Sequence, residues 1–193
     1  MRTICLLAQK GGTGKTTLCL HLAVLANELG RDAMILDIDP QGRVIVSWSL
    51  NAEEIIKSDE RGSPPLEARL RAANRCRRAG YRIGFHFDPL VRFPGWKEGY
   101  RRAVESLYSC VDPGSIAWIS MGTLRYPPAL DSVIRERFPE SRLPLEELVP
   151  GIDGKLRYFR PLREEMFRHV CKEIQRRDPA ATVYLCMESR EVW

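Results

Sequence analysis

The chain has no uninterrupted apolar run near twenty residues, so no membrane-crossing helix is expected. Its N-terminus lacks a basic leader, a long apolar core and a small-residue cleavage site, which makes a cytoplasmic location the expectation. Cysteine is never clustered. The six (Cys5, Cys19, Cys76, Cys110, Cys171 and Cys186) lie at least fourteen residues apart, and no CxxC or CxxxCxxC occurs. That excludes a local zinc or iron–sulfur ligand set and leaves reduced, packed thiols as the expectation. Charge of one sign is also modest. A net charge of +5 permits a nucleic-acid partner without requiring one. What remains is a chain of 193 residues, 44% hydrophobic and 28% charged. That composition describes a globular protein able to bury a core.

The first 42 residues carry one concentrated motif. TICLLA (3–8) reads as a buried strand, TLCLHLAVLANEL (17–29) as a helix capped by Gly30, and AMILDI (33–38) as a second strand. Between the first strand and the helix lies KGGTGKTT (Lys10 to Thr17). Gly11, Gly12 and Gly14 let the backbone curl so that its N–H groups, Thr13 included, point at phosphate oxygens. The helix adds the positive end of its dipole, and Thr17 opens it. Lys15 is placed for the β- and γ-phosphates and the Thr16 hydroxyl for Mg²⁺.

The loop departs from the general pattern, because Lys10 stands early in it and Gln9 fills the first glycine position. In this it resembles the deviant Walker A loop of the ParA/MinD family of ATPases, and LDIDPQG (Leu36 to Gly42) resembles that family's second motif. The resemblance implies ATP and magnesium as ligands. Lys10 would act across a nucleotide-dependent homodimer, and Asp39 would hold the metal and attacking water beside Asp37. Lys10, Lys15 and Asp39 are the implied catalytic set. The family's later strands are not visible after Gly42, so hydrolysis is expected to be weak or absent.

A junction is expected at residues 41–44. VIVSW (44–48) reads as a strand only about six residues beyond the previous one, whereas a parallel crossover needs at least ~10–12. Beyond it strands and helices alternate: helix 64–80, strand 81–87, helix 96–111, strand 115–122, helix 128–138, helix 161–177 and strand 182–187. This alternation means parallel β/α architecture. The expected fold is therefore α/β, an N-terminal P-loop β-α-β unit (1–43) joined to a partial parallel (βα) barrel-like segment (44–193). Residues 144–158 read as a long loop. Arg69, Arg71, Arg75, Arg77 and Arg78 read as one wet helix face, and Trp96 and Trp118 as core.

From about Val44 onward, Ser49-Leu50-Asn51, PLEARLRAA, GYRIGFHFDPL, IAWISMGTLRYPPAL and GKLRYFRPLR resemble, in order, the spore photoproduct lyase family of radical SAM enzymes. The resemblance implies a partial (βα)₆ barrel, S-adenosylmethionine, a [4Fe–4S] cluster and a thymine photodimer in DNA. Ser49 is the implied S-adenosylmethionine contact, with Asn51 as its neighbour; Asn51 before AEEII equally suits a helix N-cap. His86 and Asp88 end a strand and could face the barrel mouth or sit as satisfied structural groups. Lys155, Arg157, Tyr158 and Arg160 mix cations with aromatics, as nucleic-acid surfaces and solvated loops both do. The family's CxxxCxxC is missing where the P-loop segment stands, so the cluster is not expected. The expectation is an ATP/Mg²⁺-binding P-loop protein fused to a truncated lyase-like region. A DNA-repair lyase or its inactive remnant, and a non-catalytic fold made of two pieces, are the alternatives. A natural fusion, an engineered chimera and a recombined frame all remain open.

Overall fold

The computed structural model describes residues 45–189 and 192. The chain divides into two units, 1–43 and 44–193, and the description that follows concerns the second.

The unit is α/β. Its main sheet has four parallel strands: β1 (Ile45–Ser49), β2 (Arg82–Leu90), β3 (Ile116–Thr123) and β7 (Val183–Leu185), in the order β1-β2-β3-β7. Parallel neighbours need long crossovers, and helices supply them. They are α1 (Glu53–Ser58), α2 (Leu66–Arg78), α3 (Trp96–Cys110), α4 (Ala129–Arg137) and α5 (Arg160–Arg177).

Period-2 alternation sorts the strands into two faces. On one face, Trp48, Phe85, Ile119 and Val183 fall in one row, and Phe87, Met121 and Leu185 in the next. Phe85, Phe87 and Ile119 are completely buried beneath the helices, together with Leu70 of α2, Tyr100, Val104 and Leu107 of α3, and Met166, Val170 and Ile174 of α5. On the other face the matching row is Ser49, His86, Ser120 and Tyr184. One face is thus a hydrocarbon core and the other is polar.

Three expectations are corrected. The span 144–158 is no plain loop, for it holds β5 (Leu148–Pro150) and β6 (Leu156–Tyr158). These form an antiparallel hairpin that pairs with β4 (Arg125–Tyr126) in a second sheet, order β4-β6-β5. Arg69 is not on a wet face. It is 8% exposed, because its guanidinium turns inward to Glu60 and to the carbonyls of Ser49 and Pro64. Trp118 lies on the polar face, half-buried, its ring against His86 and Tyr184; Trp96 is core as expected. Among the described residues, no helix is long and apolar enough to cross a membrane.

Candidate functional site

In parallel α/β sheets, ligands gather where strands end at their carboxyl termini, because loops there leave the sheet in diverging directions. The polar row crosses the strands near that end, with Ser49 the last residue of β1 and Tyr184 one residue before the end of β7. His86, at the centre, has a hydroxyl on each ring nitrogen: Nδ1 lies 2.6 Å from Ser120 Oγ and Nε2 lies 3.2 Å from Ser47 Oγ. A neutral imidazole needs one acceptor and one donor, and two serines can serve as either. Burial pushes the His86 pKa down, and the nearby Asp88 carboxylate opposes that only in part.

The lowered pKa makes stability depend on pH. Near its ordinary value of 6.5 the unfolded chain binds more protons at this position than the native one. The contribution of His86 is therefore fully present above pH 6.5 and is lost as pH falls from 6.5 through the lowered native pKa. Urea midpoints measured between neutral and mildly acidic pH should drop more steeply for the parent than for His86→Gln. Identical slopes would remove His86 from the account.

Beyond His86 on β2 stands Asp88, gripped by Arg125 through two parallel bonds, Nη1 to Oδ1 at 2.8 Å and Nη2 to Oδ2 at 2.9 Å. Arg125 also donates to the Thr123 carbonyl at 3.0 Å. The Asp88 hydrogen bonds hold the guanidinium above its ordinary value. Gly122 makes this grip possible, since a Cβ there would stand 2.8 Å from both Asp88 Cγ and Arg125 Nη1. Cys186, expected as a packed strand residue, sits just past the end of β7 and is half-buried. Burial pushes its thiol up and Asp88 pushes further, so it stays protonated rather than poised as a thiolate. Glu188 pairs with Arg163 of α5, side chains 1% and 8% exposed, and lies 3.4 Å from the Thr123 hydroxyl.

Besides His86 and Asp88, the sequence-predicted Ser49 and Asn51 fall here and behave differently from each other. Ser49 ends the polar row with its side chain exposed, while Arg69 Nη1 holds its carbonyl at 2.9 Å. Asn51 is 1% exposed and fully engaged. Its amide nitrogen donates to Glu60 and to the Pro89 carbonyl, each at 3.1 Å; its Oδ1 accepts from Ala52 N–H at 3.0 Å and from the Tyr100 hydroxyl at 2.7 Å. It does not cap α1 in the usual way, since Ala52 occupies the N-cap without a side-chain bond. Asn51 instead ties the segment after β1 to the end of β2 at Pro89 and to α3 at Tyr100.

The residues of the phosphate loop (Lys10, Gly11, Gly12, Thr13, Gly14, Lys15, Thr16, Thr17) and Asp37 and Asp39 lie outside the described residues. Sequence reasoning missed Ser47, Ser120 and Arg125. A signal existed in the first two, which are hydroxyls placed alternately in otherwise apolar strands.

Comparison with known proteins places the chain among relatives of one family. A family model described as spore photoproduct lyase matches residues 27–184. The match begins upstream of the junction expected at residues 41–44. The spore photoproduct lyase of Bacillus subtilis (strain 168) is 32% identical over 115 residues, which is 58% of this chain and 34% of that protein. The chromosome-partitioning ATPase Soj of Thermus thermophilus is 38% identical over 91 residues, 47% of this chain and 32% of that one. Among solved structures, a point mutant of spore photoproduct lyase superposes with a TM-score of 0.67 at 26% identity. It covers 74% of this chain and 44% of its own. A double mutant with bound AdoMet and dinucleoside spore photoproduct gives 0.65 at 26% identity over the same shares. The matched part spans about a third of the length of the curated lyase relatives. A family model over most of the chain, together with the shared fold, leads to one conclusion: this chain belongs to the spore photoproduct lyase family.

Proposed function

We propose that the polar end of the sheet binds S-adenosylmethionine beside a DNA photoproduct, and that the described unit contributes binding and orientation to a photoproduct lyase type of site. The observation that carries this is the row Ser49, His86, Ser120 and Tyr184, with the Asp88–Arg125 pair two residues beyond His86 along β2. These residues fit a small polar ligand with an aromatic base. Exposed Ser49 offers a hydroxyl, His86 an imidazole, and Trp118 and Tyr184 half-buried rings. The solved relative with bound AdoMet and dinucleoside spore photoproduct supports the same choice. S-adenosylmethionine supplies radical chemistry in this family.

A [4Fe–4S] cluster does not fit the described cysteines. Cys76, Cys110 and Cys171 belong to three different helices and Cys186 follows β7. Among the described residues no three of His, Cys, Asp and Glu group as metal ligands. A cluster needs three converging thiolates, which these four cysteines do not offer. DNA as the partner is supported by the hairpin. Its tip carries Ile152, 96% exposed, with Lys155 beside it and Phe159, 58% exposed, at its base. An exposed apolar residue at the tip, with Lys155 nearby for a phosphate contact, suits insertion between bases.

Calorimetric titration of S-adenosylmethionine into the full chain is the test. Binding is expected, and Ser49→Ala should weaken it by roughly tenfold, the worth of about one hydrogen bond. No binding, or the same affinity in Ser49→Ala and His86→Ala as in the parent, would overturn the assignment.

A second reading concerns the first 43 residues. The KGGTGKTT loop and the similarity to Soj support ATP and Mg²⁺ binding there, with Lys15 and Thr16 as the central contacts, Asp39 beside the metal and little hydrolysis. Lys15→Ala should abolish ATP binding seen by calorimetry; unchanged affinity would end that reading.

A further inference from the structure

The polar face of the main sheet does not stop at the His86 row. Alternation along β2 puts Arg82 and Gly84 on the same face as His86 and Asp88. The register sets Ile45 beside Arg82, Ser47 beside Gly84, and Trp118 on the other side of Gly84. All-parallel sheets are ordinarily covered on both faces. Among the described residues this face stays open: Ser47, Ser49 and Arg82 are exposed, and Trp118 and Tyr184 are only half-buried.

Two independent observations point to a ligand there. The first is an aromatic floor. A Cβ on Gly84 would stand 2.6 Å from Trp118 Cζ2, so the indole lies across β2 at a place that only glycine leaves free. His86 flanks it edge-on at 4.8 Å and Tyr184 at a tilt at 5.7 Å between ring centres. A large flat ring, fixed by its neighbours and half open to water, is a stacking platform. The second is Arg82. Arg71, Arg77 and Arg125 each hold a carboxylate. Arg82 holds none among the described residues, and its side chain is exposed.

The two features are spaced for one ligand. Trp118 stands opposite Gly84, two residues from Arg82, which is about 7 Å along the strand. That is the span of a single nucleotide from base to phosphate. Ser47, beside Gly84 on β1, offers its hydroxyl at the edge of the platform, where a base presents donors and acceptors. It meets His86 Nε2 at 3.2 Å and keeps capacity for a further bond.

We propose that this part of the polar face binds one nucleotide unit, its base stacked on Trp118 and its phosphate on Arg82, either free or within a single strand. Every base has a π-face, so the subsite selects a nucleotide and not a sequence. It lies towards the amino-terminal ends of the strands from the Ser49–His86 row, and it does not depend on the S-adenosylmethionine reading of that row.

The test uses the full chain with thymidine 5′-monophosphate, thymidine and a labelled oligothymidylate. Calorimetry measures affinity for the two small probes, tryptophan emission locates them, and anisotropy across a salt series follows the strand. The monophosphate should quench the emission saturably, and Trp118→Phe should remove that quenching while leaving a smaller ring in place. Trp118→Leu should weaken both small probes by roughly tenfold. Arg82→Gln, a change at an exposed side chain, should weaken the monophosphate several-fold and leave thymidine unchanged. It should also make the salt dependence of the strand shallower by about 0.7 in log–log slope, the worth of one phosphate contact on a single strand. Arg82→Lys should restore most of both. Equal affinity of the monophosphate for Arg82→Gln and the parent, or quenching that survives Trp118→Phe, would overturn the subsite. A strand that displaces the monophosphate identifies the source as single-stranded nucleic acid; one that does not assigns the subsite to a free nucleotide. S-adenosylmethionine is titrated in parallel. If it displaces the monophosphate, the platform belongs to its own site and the separate subsite fails. If it does not bind while the monophosphate does, the S-adenosylmethionine reading fails and the nucleotide subsite stands.

Discussion

Glu188→Ala should lower the unfolding free energy by about 3–5 kcal/mol, the largest single effect expected in the described unit. The carboxylate is 1% exposed and faces Arg163, 8% exposed, with the Thr123 hydroxyl as a further neighbour. Removing the anion leaves a guanidinium out of water with no counter-charge, and that desolvation term is several kcal/mol per ion after relaxation. The pair as a whole contributes far less than its breakage costs, because both ions gave up hydration to form it. The double variant Glu188→Ala/Arg163→Met should therefore recover most of the loss. Urea denaturation followed by far-UV circular dichroism measures both. A single variant within about 1 kcal/mol of the parent would mean that water reaches Arg163 and that the pair is effectively a surface one.

Asn51→Ala should cost about 3 kcal/mol, for a different reason. The side chain fills less space than a large core residue, but four hydrogen bonds end on it. Its loss leaves the Pro89 carbonyl and the Ala52 N–H without a partner in a site that is 1% exposed. The Tyr100 hydroxyl would lose its acceptor as well. That hydroxyl also accepts from Val91 N–H at 2.7 Å, and burial pushes its pKa far above the ordinary tyrosine value. Tyr100→Phe should then cost about 1–3 kcal/mol on its own. The double variant should cost less than the sum, since both substitutions delete the same bond; a coupling of about 0.5–3 kcal/mol is expected from a double-mutant cycle. Strict additivity would show that the two side chains do not share a network. The functional consequence lies in the loops. Asn51 and Arg69 fix the chain just beyond Ser49, and Tyr100 fixes the chain just beyond Asp88, so loosening either should also blur the S-adenosylmethionine site proposed above.

Most elements of the described unit were legible because each satisfies a periodicity on its own. PLEARLRAANRCRR has its apolar residues on one helical stripe, and IAWIS and RIGFHF are too apolar and β-branched or aromatic to be anything but buried strands. Their alternation required a parallel sheet, and the ordered motifs from Ser49 to Arg163 pointed to the family. The hairpin at 148–158 was not legible. Its strands are three residues long and their partner β4 only two, too short for any period to show, so they exist only because β6 finds a neighbour on each side. Arg69 was misplaced for a related reason: a guanidinium on a helix is solvated unless a carboxylate and carbonyls happen to meet it, and Glu60, Pro64 and Ser49 do so only in the folded chain.

The sequence by itself thus determined the α/β class, the order of the longer elements, the family, and the phosphate-loop motif, whose residues fall outside those the structure describes. Each of these is written in local pattern, where neighbours along the chain suffice. Tertiary structure alone decided which polar side chains meet. His86, Ser47 and Ser120 come from three strands, Asp88 and Arg125 from two sheets, and Arg163 and Glu188 from a helix and the chain's last segment. Hydrogen bonds and ion pairs are short-ranged and directional, so register and crossover geometry, not spacing along the chain, select their partners.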